Sequence, residues 1–230
     1  MSVGVEPHAK FPGVYWATSP NGSRKLCTKN LTPRRKVYGE QLISSGNYEF
    51  RAWDPYRSKL AAAILKGLTK VPVQPGHRVL YLGAASGTTA SHVSDIVGER
   101  GHVYCVEFAA HAMRDLVTNV SSIRENITPI LEDARQPKRY AIFVNEVDDI
   151  YCDIAQPEQA RILSDNADLF LKKQGWSMLA VKSQSIDVTR KPTDIYRQEI
   201  GVLKSRGFRI REVLQLEPYD KAHAMIVSKI

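Results

Sequence analysis

From about residue 56 onward, short apolar runs alternate with longer stretches whose apolar residues recur at helical spacing. Short runs rich in Val, Ile, Leu and Tyr are typical of buried strands, and the longer amphipathic stretches are typical of helices. The apolar runs predict strands at 78–82, 102–107, 127–131, 149–153, 177–181, 208–214 and 224–227. The stretches between them predict helices at 58–65, 89–97, 110–122, 137–146, 157–170 and 193–205.

This alternation predicts an α/β fold with a seven-stranded, mostly parallel sheet covered by helices on both faces. No helical pattern separates the last two strands. We therefore expect them to pair as an antiparallel hairpin at the edge of the sheet.

The first 55 residues show a different rhythm, with frequent Pro, Gly, Tyr and Val. Short strands are predicted at 14–17, 25–28 and 48–51, and the Asn21-Gly22 turn suits a hairpin between the first two. The sequence thus predicts a small β-rich N-terminal domain at 1–55, followed by the α/β domain at 56–230.

The charge is distributed unevenly along the chain. The 230 residues carry a net charge of +8, and residues 1–59 alone hold ten basic and four acidic side chains, a net charge of +6. Such a segment is typical of a protein that meets a polyanion, although a solvated basic face would have the same composition. Charge alone leaves the two interpretations open.

Targeting and cross-linking signals are missing from the sequence. The longest apolar runs, such as 61–65, are far shorter than the ~20 residues that span a bilayer, and residues 1–4 do not begin a signal peptide. Three cysteines, Cys27, Cys105 and Cys152, form no closely spaced pair, which favours buried free thiols. We expect a cytoplasmic protein without disulfides or a cysteine-based metal site.

The strongest local feature is a strand, a turn of small residues and a helix start at 79–89, with the sequence VLYLGAASGTT. Small residues let the backbone approach a ligand, and a helix start offers free N–H groups. The Gly-x-x-x-Gly spacing matches neither the dinucleotide fingerprint nor a P-loop, and a tight strand-to-helix turn would also produce it. The candidate ligand-contacting residues here are Gly83, Ala84, Ala85 and Gly87.

Two acidic residues follow the next two predicted strands. Glu107 ends the second strand, where an acid is placed to hold ribose hydroxyls, and Asp133 follows the third, near the expected adenine edge. Each acid alone could be a cap or a surface residue, but in register with the turn they indicate a nucleoside cofactor. The missing G-x-G-x-x-G argues against NAD, and the terminal antiparallel strand favours the Rossmann-like class I S-adenosylmethionine methyltransferase fold by analogy.

Four further polar residues are expected at one crevice. Asp153 and Lys182 follow apolar strands, Lys59 begins the helix before the Gly-rich turn, and His223 immediately precedes the final strand. Four such groups around a cofactor crevice would form a reaction centre.

Four stretches of the chain resemble the fibrillarin family in its archaeal form: WDPYRSKLAA at 53–62, LYLGAASGTT at 80–89, YCDIAQP at 151–157 and KSQSIDVT at 182–189. The resemblance runs from about residue 37 to the C-terminus, and the Gly/Arg-rich tail of eukaryotic members is absent. It implies an active-site set of Lys59, Asp153, Lys182 and His223. It also implies cofactor contacts from Thr88, Thr89, Glu107, Phe108, Asp133, Ala134, Asp153, Ile154, Ala155 and Gln156.

The function implied by this resemblance is guide-RNA-directed transfer of a methyl group from S-adenosyl-L-methionine to ribose 2′-hydroxyls of rRNA, with tRNA open as a second substrate. Lys182 would accept the hydroxyl proton, Asp153 would orient this lysine and the hydroxyl, and Lys59 would hold a phosphate or the developing oxyanion. No metal is expected, because the leaving group is a neutral thioether.

The implied partners are a box C/D guide RNA with its target RNA, a Nop-domain scaffold protein and a kink-turn-binding ribosomal-type protein. Two alternatives remain at this stage. One is a small-molecule methyltransferase, and the other is a non-catalytic RNA-binding subunit with a methyltransferase fold.

Overall fold

The N-terminal part of the chain folds into a five-stranded antiparallel sheet. The computed structural model describes residues 3–230. The sheet has the order β1-β2-β3-β5-β4, with β1 at Gly4–Pro7, β2 at Val14–Thr18, β3 at Arg24–Lys29, β4 at Leu42–Ser45 and β5 at Tyr48–Ala52. The three strands predicted here and the hairpin at Asn21-Gly22 are confirmed. Strands β1 and β4 were not predicted, because four residues are too few to show a period of two.

The rest of the chain builds a seven-stranded sheet. Its strands are β6 (Arg78–Leu82), β7 (His102–Glu107), β8 (Ile127–Leu131), β9 (Val147–Cys152), β10 (Leu171–Lys182), β11 (Arg209–Gln215) and β12 (His223–Lys229), in the order β11-β12-β10-β9-β6-β7-β8. Strands β6 to β10 pair in parallel, and β12 runs antiparallel to both β10 and β11. The terminal hairpin is at the edge of the sheet, as predicted. Within it, β11 is the edge strand, and β12, which runs antiparallel to its neighbours, is second from the edge.

Within the described residues, six α-helices connect or flank the strands: α1 (Lys59–Leu65), α2 (Thr88–Val97), α3 (Ala110–Asn119), α4 (Gln159–Phe170), α5 (Ser183–Ile186) and α6 (Pro192–Ser205). The prediction of an α-helix at 137–146 is wrong, because this segment is a 3₁₀ helix at Pro137–Phe143. Its buried positions, Pro137 and Tyr140, are three residues apart, which suits a helix with three residues per turn.

Both faces of the larger sheet are buried, which explains why its strands are almost continuously apolar. Val79 and Tyr81 of β6 belong to one apolar cluster, and Leu80 and Leu82 belong to the cluster on the opposite face. Because side chains alternate along a strand, this pattern places β6 at the centre of the molecule.

The N-terminal sheet shares the first of these clusters, which includes Leu26 of β3, Trp53 directly after β5 and Val93 of α2. A buried charge cluster lies at the same junction, where Asp95 of α2 lies 2.8 Å from Arg51 and 2.6 Å from Arg124. The two sheets are separate, but the core between them is continuous, so the division at 55/56 stays a prediction.

Cys27, Cys105 and Cys152 are buried free thiols. None of the helices in residues 3–230 has the length and hydrophobicity of a transmembrane span. The same residues contain no group of three or more His, Cys, Asp or Glu side chains arranged to hold a metal ion.

Candidate active site

The candidate site lies where the strand order of the larger sheet reverses. From β6 the chain builds outward through β7 and β8, and then returns to place β9 on the other side of β6. Loops at the carboxyl ends of the two strands beside such a switch point diverge and leave a crevice, which is where open α/β sheets bind ligands. Because β12 is antiparallel, its first residue, His223, lies at the same end and pairs with Lys182 at the end of β10.

The turn after β6 approaches the segment after β9 so closely that it requires glycine. Gly83 has a φ of +80°, and a Cβ added there would lie 2.5 Å from the Asp153 carbonyl oxygen. Gly87 is the N-cap of α2 and has a φ of +90°, but a Cβ added there would meet Val120 Cγ2 at 2.7 Å. Gly83 therefore permits close approach at the crevice, whereas Gly87 permits packing of the turn against the end of α3.

Glu107 fixes the shape of this turn. Its buried carboxylate accepts a hydrogen bond from the Ala85 N–H and another from the Ala109 N–H, each at 2.9 Å. A carboxylate has about four acceptor positions, so two remain for a ligand. The residue predicted to bind ribose hydroxyls thus also connects the turn after β6 to the end of β7.

A cavity of about 180 Å³ opens beside this turn. Ten predicted cofactor-binding residues line it: Gly83, Ala85, Glu107, Phe108, Asp133, Ala134, Asp153, Ile154, Ala155 and Gln156. Sites that bury a small molecule typically enclose about 300–1,000 Å³, so a nucleoside here would remain partly open to solvent. The ring of Phe108, 65% exposed, is available to cover it.

Four other predicted cofactor-binding residues, Ala84, Gly87, Thr88 and Thr89, do not line the cavity. Conversely, Glu132 and Arg135 line it and were not found from the sequence. Arg135 donates side-chain hydrogen bonds to both oxygens of Asp133, and these bonds lower the pKa of the Asp133 carboxyl. Asp133 is therefore ionised at neutral pH, and its interaction with Arg135 defines one wall of the cavity.

The predicted reaction centre is assembled around a single carboxylate. Asp153 Oδ2 lies 3.3 Å from Lys59 Nζ, and Asp153 Oδ1 lies 3.0 Å from Lys182 Nζ. All three side chains are largely withdrawn from solvent, with exposed fractions of 13–20%. Asp153 therefore holds two lysine Nζ atoms, one on each carboxylate oxygen, and both Asp153 and Lys182 line the cavity.

His223 joins this centre through Asp220, a residue that the sequence analysis missed. Asp220 Oδ1 lies 2.8 Å from His223 Nδ1, and Asp220 Oδ2 lies 3.6 Å from Lys59 Nζ. Burial alone would raise the pKa of the Asp220 carboxyl, but His223 and Lys59 outweigh it and lower that pKa. The only sequence signal for Asp220 is its position three residues before His223, a spacing that many surface acids share.

Local capping explains how Lys59 reaches this position. Ser58 is the N-cap of α1, and its hydroxyl accepts a hydrogen bond from the Ala61 N–H. The Thr89 hydroxyl, at the start of α2, donates to the Ser58 hydroxyl at 3.0 Å, and both residues are buried. In this structure the Thr89 side chain therefore connects the two helix starts, and its hydroxyl does not reach the cavity.

Comparison with known proteins gives a consistent result. The fibrillarin family model matches residues 5–230. The fibrillarin-like rRNA/tRNA 2′-O-methyltransferase of Staphylothermus marinus is 56% identical over 227 residues, covering 99% of this chain and 97% of the relative.

Solved structures agree with this assignment. The Aeropyrum pernix fibrillarin with natively bound S-adenosyl-L-methionine superposes with a TM-score of 0.92 at 50% identity, covering 99% of this chain and 100% of that one. A fibrillarin/Nop5p complex superposes with a TM-score of 0.81 at 42% identity, covering 89% of this chain and 93% of that one. By family model, sequence identity over nearly its whole length and fold, the chain belongs to the fibrillarin family.

Proposed function

We propose that this protein transfers a methyl group from S-adenosyl-L-methionine to ribose 2′-hydroxyls of rRNA and tRNA selected by a guide RNA. The observation that carries the proposal is the Lys59–Asp153–Lys182 arrangement at the mouth of a nucleoside-type cavity. A small-molecule methyltransferase would have no use for two lysines flanking the crevice beside a basic N-terminal segment. Family membership supports the same reaction.

The residues of the cavity fit the cofactor. Glu107 retains acceptor positions for ribose hydroxyls, Asp133 is ionised beside the expected adenine position, and Phe108 offers an exposed ring for stacking. The missing side chain at Gly83 leaves the backbone accessible. When bound, S-adenosyl-L-methionine supplies an electrophilic methyl group on a sulfonium, and the acidic groups Glu107 and Asp153 favour that positive charge.

The reaction centre then needs to activate a weak nucleophile. A ribose hydroxyl ionises far above neutral pH, so its proton must be accepted as the oxygen attacks the methyl carbon. Lys182, as a neutral amine, accepts this proton on the Nζ lone pair and becomes an ammonium ion, and Asp153 fixes the position of Nζ through the 3.0 Å contact. Lys59, held by Asp153 and Asp220, stabilises the developing oxyanion or the neighbouring phosphate.

We further infer that the protein works inside a box C/D ribonucleoprotein. A Nop-domain scaffold would dock it, a guide RNA would select the target nucleotide, and a kink-turn-binding protein would hold the guide. The relative solved as a fibrillarin/Nop5p complex supports the scaffold. The guide RNA and the kink-turn-binding protein rest on the family resemblance.

The test is a methyl-transfer assay in the assembly reconstituted from the full-length chain, guide RNA and partner proteins. Lys182→Met removes the base but keeps an unbranched side chain only one atom shorter, so turnover should fall at least about 100-fold. Affinity for S-adenosyl-L-methionine, measured by calorimetry, should change only a few-fold. Lys172→Met is the matched control, because Lys172 also contacts an aspartate, Asp148, but lies away from the cavity.

Each outcome decides something specific. Turnover by Lys182→Met equal to that of the Lys172→Met control would exclude Lys182 as the base. A target whose guided nucleotide carries a 2′-deoxyribose should accept no methyl group, and methylation of it would refute the 2′-hydroxyl as acceptor. Absence of transfer by the complete wild-type assembly would favour a non-catalytic RNA-binding subunit.

A further inference from the structure

A second cleft, about 570 Å³ in volume, lies between the N-terminal sheet and the segment that leads into α1. It is distinct from the cofactor cavity and shares no lining residue with it. One wall is formed by β3 and the residues before β4, and the other by residues 53–57 and Tyr219. Nothing in the proposed chemistry of Lys182 and Asp153 uses this cleft.

The cleft is continuous with the reaction centre along the chain on both sides. Tyr56 is three residues before Lys59, and Tyr219 immediately precedes Asp220, which lies 3.6 Å from Lys59. Three residues of chain span at most ~10 Å, so the cleft begins within a nucleotide or two of the reacting ribose. A ligand that occupies both places must therefore be extended.

The wall beside the reaction centre presents aromatic rings to solvent. Tyr56 is 68% exposed, and its ring meets that of Tyr219 edge-on, with a centroid distance of 5.3 Å. The Tyr38 ring lies deeper in the cleft, with the Arg57 guanidinium 5.1 Å from its centroid. Exposed aromatic and guanidinium planes of this kind are typical of surfaces on which nucleobases stack.

The charges that remain available in the cleft are mainly positive. Lys25 and Arg57 are exposed, and among residues 3–230 neither has a carboxylate within ion-pair distance. Of the two acids in the lining, Glu40 is buried and neutralised by Arg51, and Asp54 accepts the Tyr56 N–H. The exposed run at 34–36, Arg-Arg-Lys, leads directly into the cleft at Tyr38.

We propose that this cleft binds the target RNA strand next to the methylated nucleotide, with Tyr56 stacking on a base and Lys25 and Arg57 contacting phosphates. The proposal rests on the RNA 2′-O-methyltransferase function stated above. An acidic protein partner would also pair with these cations, but an RNA strand matches the rings as well, because its bases and phosphates alternate along the strand. The alternation of rings and cations beside the reacting position therefore favours RNA.

The experiment measures methyl transfer and target-RNA binding in the reconstituted assembly. Tyr56→Ala should raise the KM for target RNA about 10-fold, because one stacked base is lost, and Tyr56→Phe should restore it. Arg57→Ala should weaken binding. It should also reduce the slope of log K against log salt concentration by the amount expected for the loss of about one phosphate contact. Affinity for S-adenosyl-L-methionine should be unchanged in all three variants.

Matched controls separate this cleft from nonspecific effects. Tyr48→Ala removes another exposed tyrosine, at the far end of β5, and Lys204→Ala removes an exposed lysine from α6. Both should leave the KM and the salt dependence as in the wild type.

The outcomes distinguish failure of this proposal from failure of the proposed function. If the wild-type assembly methylates its target and Tyr56→Ala and Arg57→Ala behave like the controls, the cleft assignment is wrong and the function stands. If Tyr56→Ala instead prevents the protein from joining the Nop-domain scaffold in size-exclusion chromatography, the cleft is a protein-docking surface and the RNA assignment is overturned. If the wild type transfers no methyl group, the proposed function itself fails.

Discussion

Replacing Gly83 with Ala would test how the turn after β6 positions the active-site carboxylate. The added Cβ would lie 2.5 Å from the Asp153 carbonyl oxygen and 2.9 Å from Ile154 Cγ2, where Cβ contacts below 3.0 Å are essentially never found. The two segments must therefore separate by about 0.5 Å, because the nearest atom belongs to the backbone and no rotamer change can relieve the contact.

The cost has two parts that a second variant separates. A left-handed φ costs a non-glycine residue about 1–2 kcal/mol, and overpacking adds about 1–3 kcal/mol. Gly76 has a φ of +83°, close to the +80° of Gly83, but a Cβ at Gly76 would meet nothing within 4 Å. Gly76→Ala therefore has only the cost of the left-handed φ. The difference in unfolding free energy between the two variants then isolates the cost of the contact with Asp153.

Turnover should differ more between Gly83→Ala and Gly76→Ala than thermal stability does. Displacements of about 1 Å at a reacting centre can cost ~100-fold in rate, so a shift of about half that size at Asp153 should reduce turnover at least 10-fold. Affinity for S-adenosyl-L-methionine should also fall, since the same shift deforms the cavity wall. Gly76→Ala should retain wild-type turnover, with a Tm lowered by a few degrees.

Thermal unfolding and the methyl-transfer assay check this prediction together. Equal losses of Tm in the two variants, with full turnover in Gly83→Ala, would show that the backbone relaxes freely at this point. The close approach of Gly83 to Asp153 would then have no role in positioning the carboxylate.

Three further predictions concern stability and reactivity. Asp95→Asn leaves Arg51 and Arg124 buried without their shared carboxylate, so unfolding should become easier by about 3–5 kcal/mol, seen as a Tm loss of roughly 10 °C. Burial opposes ionisation of Glu40, but Arg51 and backbone N–H groups outweigh burial and lower the pKa of the Glu40 carboxyl. The ionised carboxylate therefore stabilises the fold fully above its unfolded pKa of about 4.3, and this stabilisation is lost as the pH falls through the folded pKa. Glu40→Gln should therefore flatten the acid side of a Tm-against-pH curve. Burial raises the pKa of Cys27 to about 12, so a thiol reagent at pH 8 should label it only after unfolding, and rapid labelling of the native protein would contradict its burial.

The sequence was a good guide wherever chain order alone determines position. In a parallel sheet, residues that follow strands meet at one edge, so Glu107, Asp153 and Lys182 could be placed together before any contact was known. His223 joined them because β12 is antiparallel and begins at that edge.

Residues whose roles depend on tertiary contacts could not be placed in this way. Asp220 is in an irregular loop, and only the folded chain brings it within 3.6 Å of Lys59. The family resemblance implied a cofactor contact from Thr89, which stays a prediction, and in this structure the Thr89 hydroxyl donates to Ser58. Near a helix start, side-chain direction decides between a ligand and a neighbouring helix, and sequence spacing does not encode that choice.

The N-terminal charge shows why location matters more than a count. Arg51 is buried between Glu40 and Asp95, Arg24 pairs with Glu6, and Lys59 belongs to the reaction centre, so these cations are not free to attract a polyanion. Of the segment's seven other basic residues, five are in or beside the cleft next to α1, namely Lys25, the run at 34–36 and Arg57, whereas Lys10 and Lys29 are exposed elsewhere. The buried cations are neutralised within the junction between the two sheets, and most of the others surround the cleft. Electrostatic attraction from this segment therefore acts mainly toward the entrance of the reaction centre.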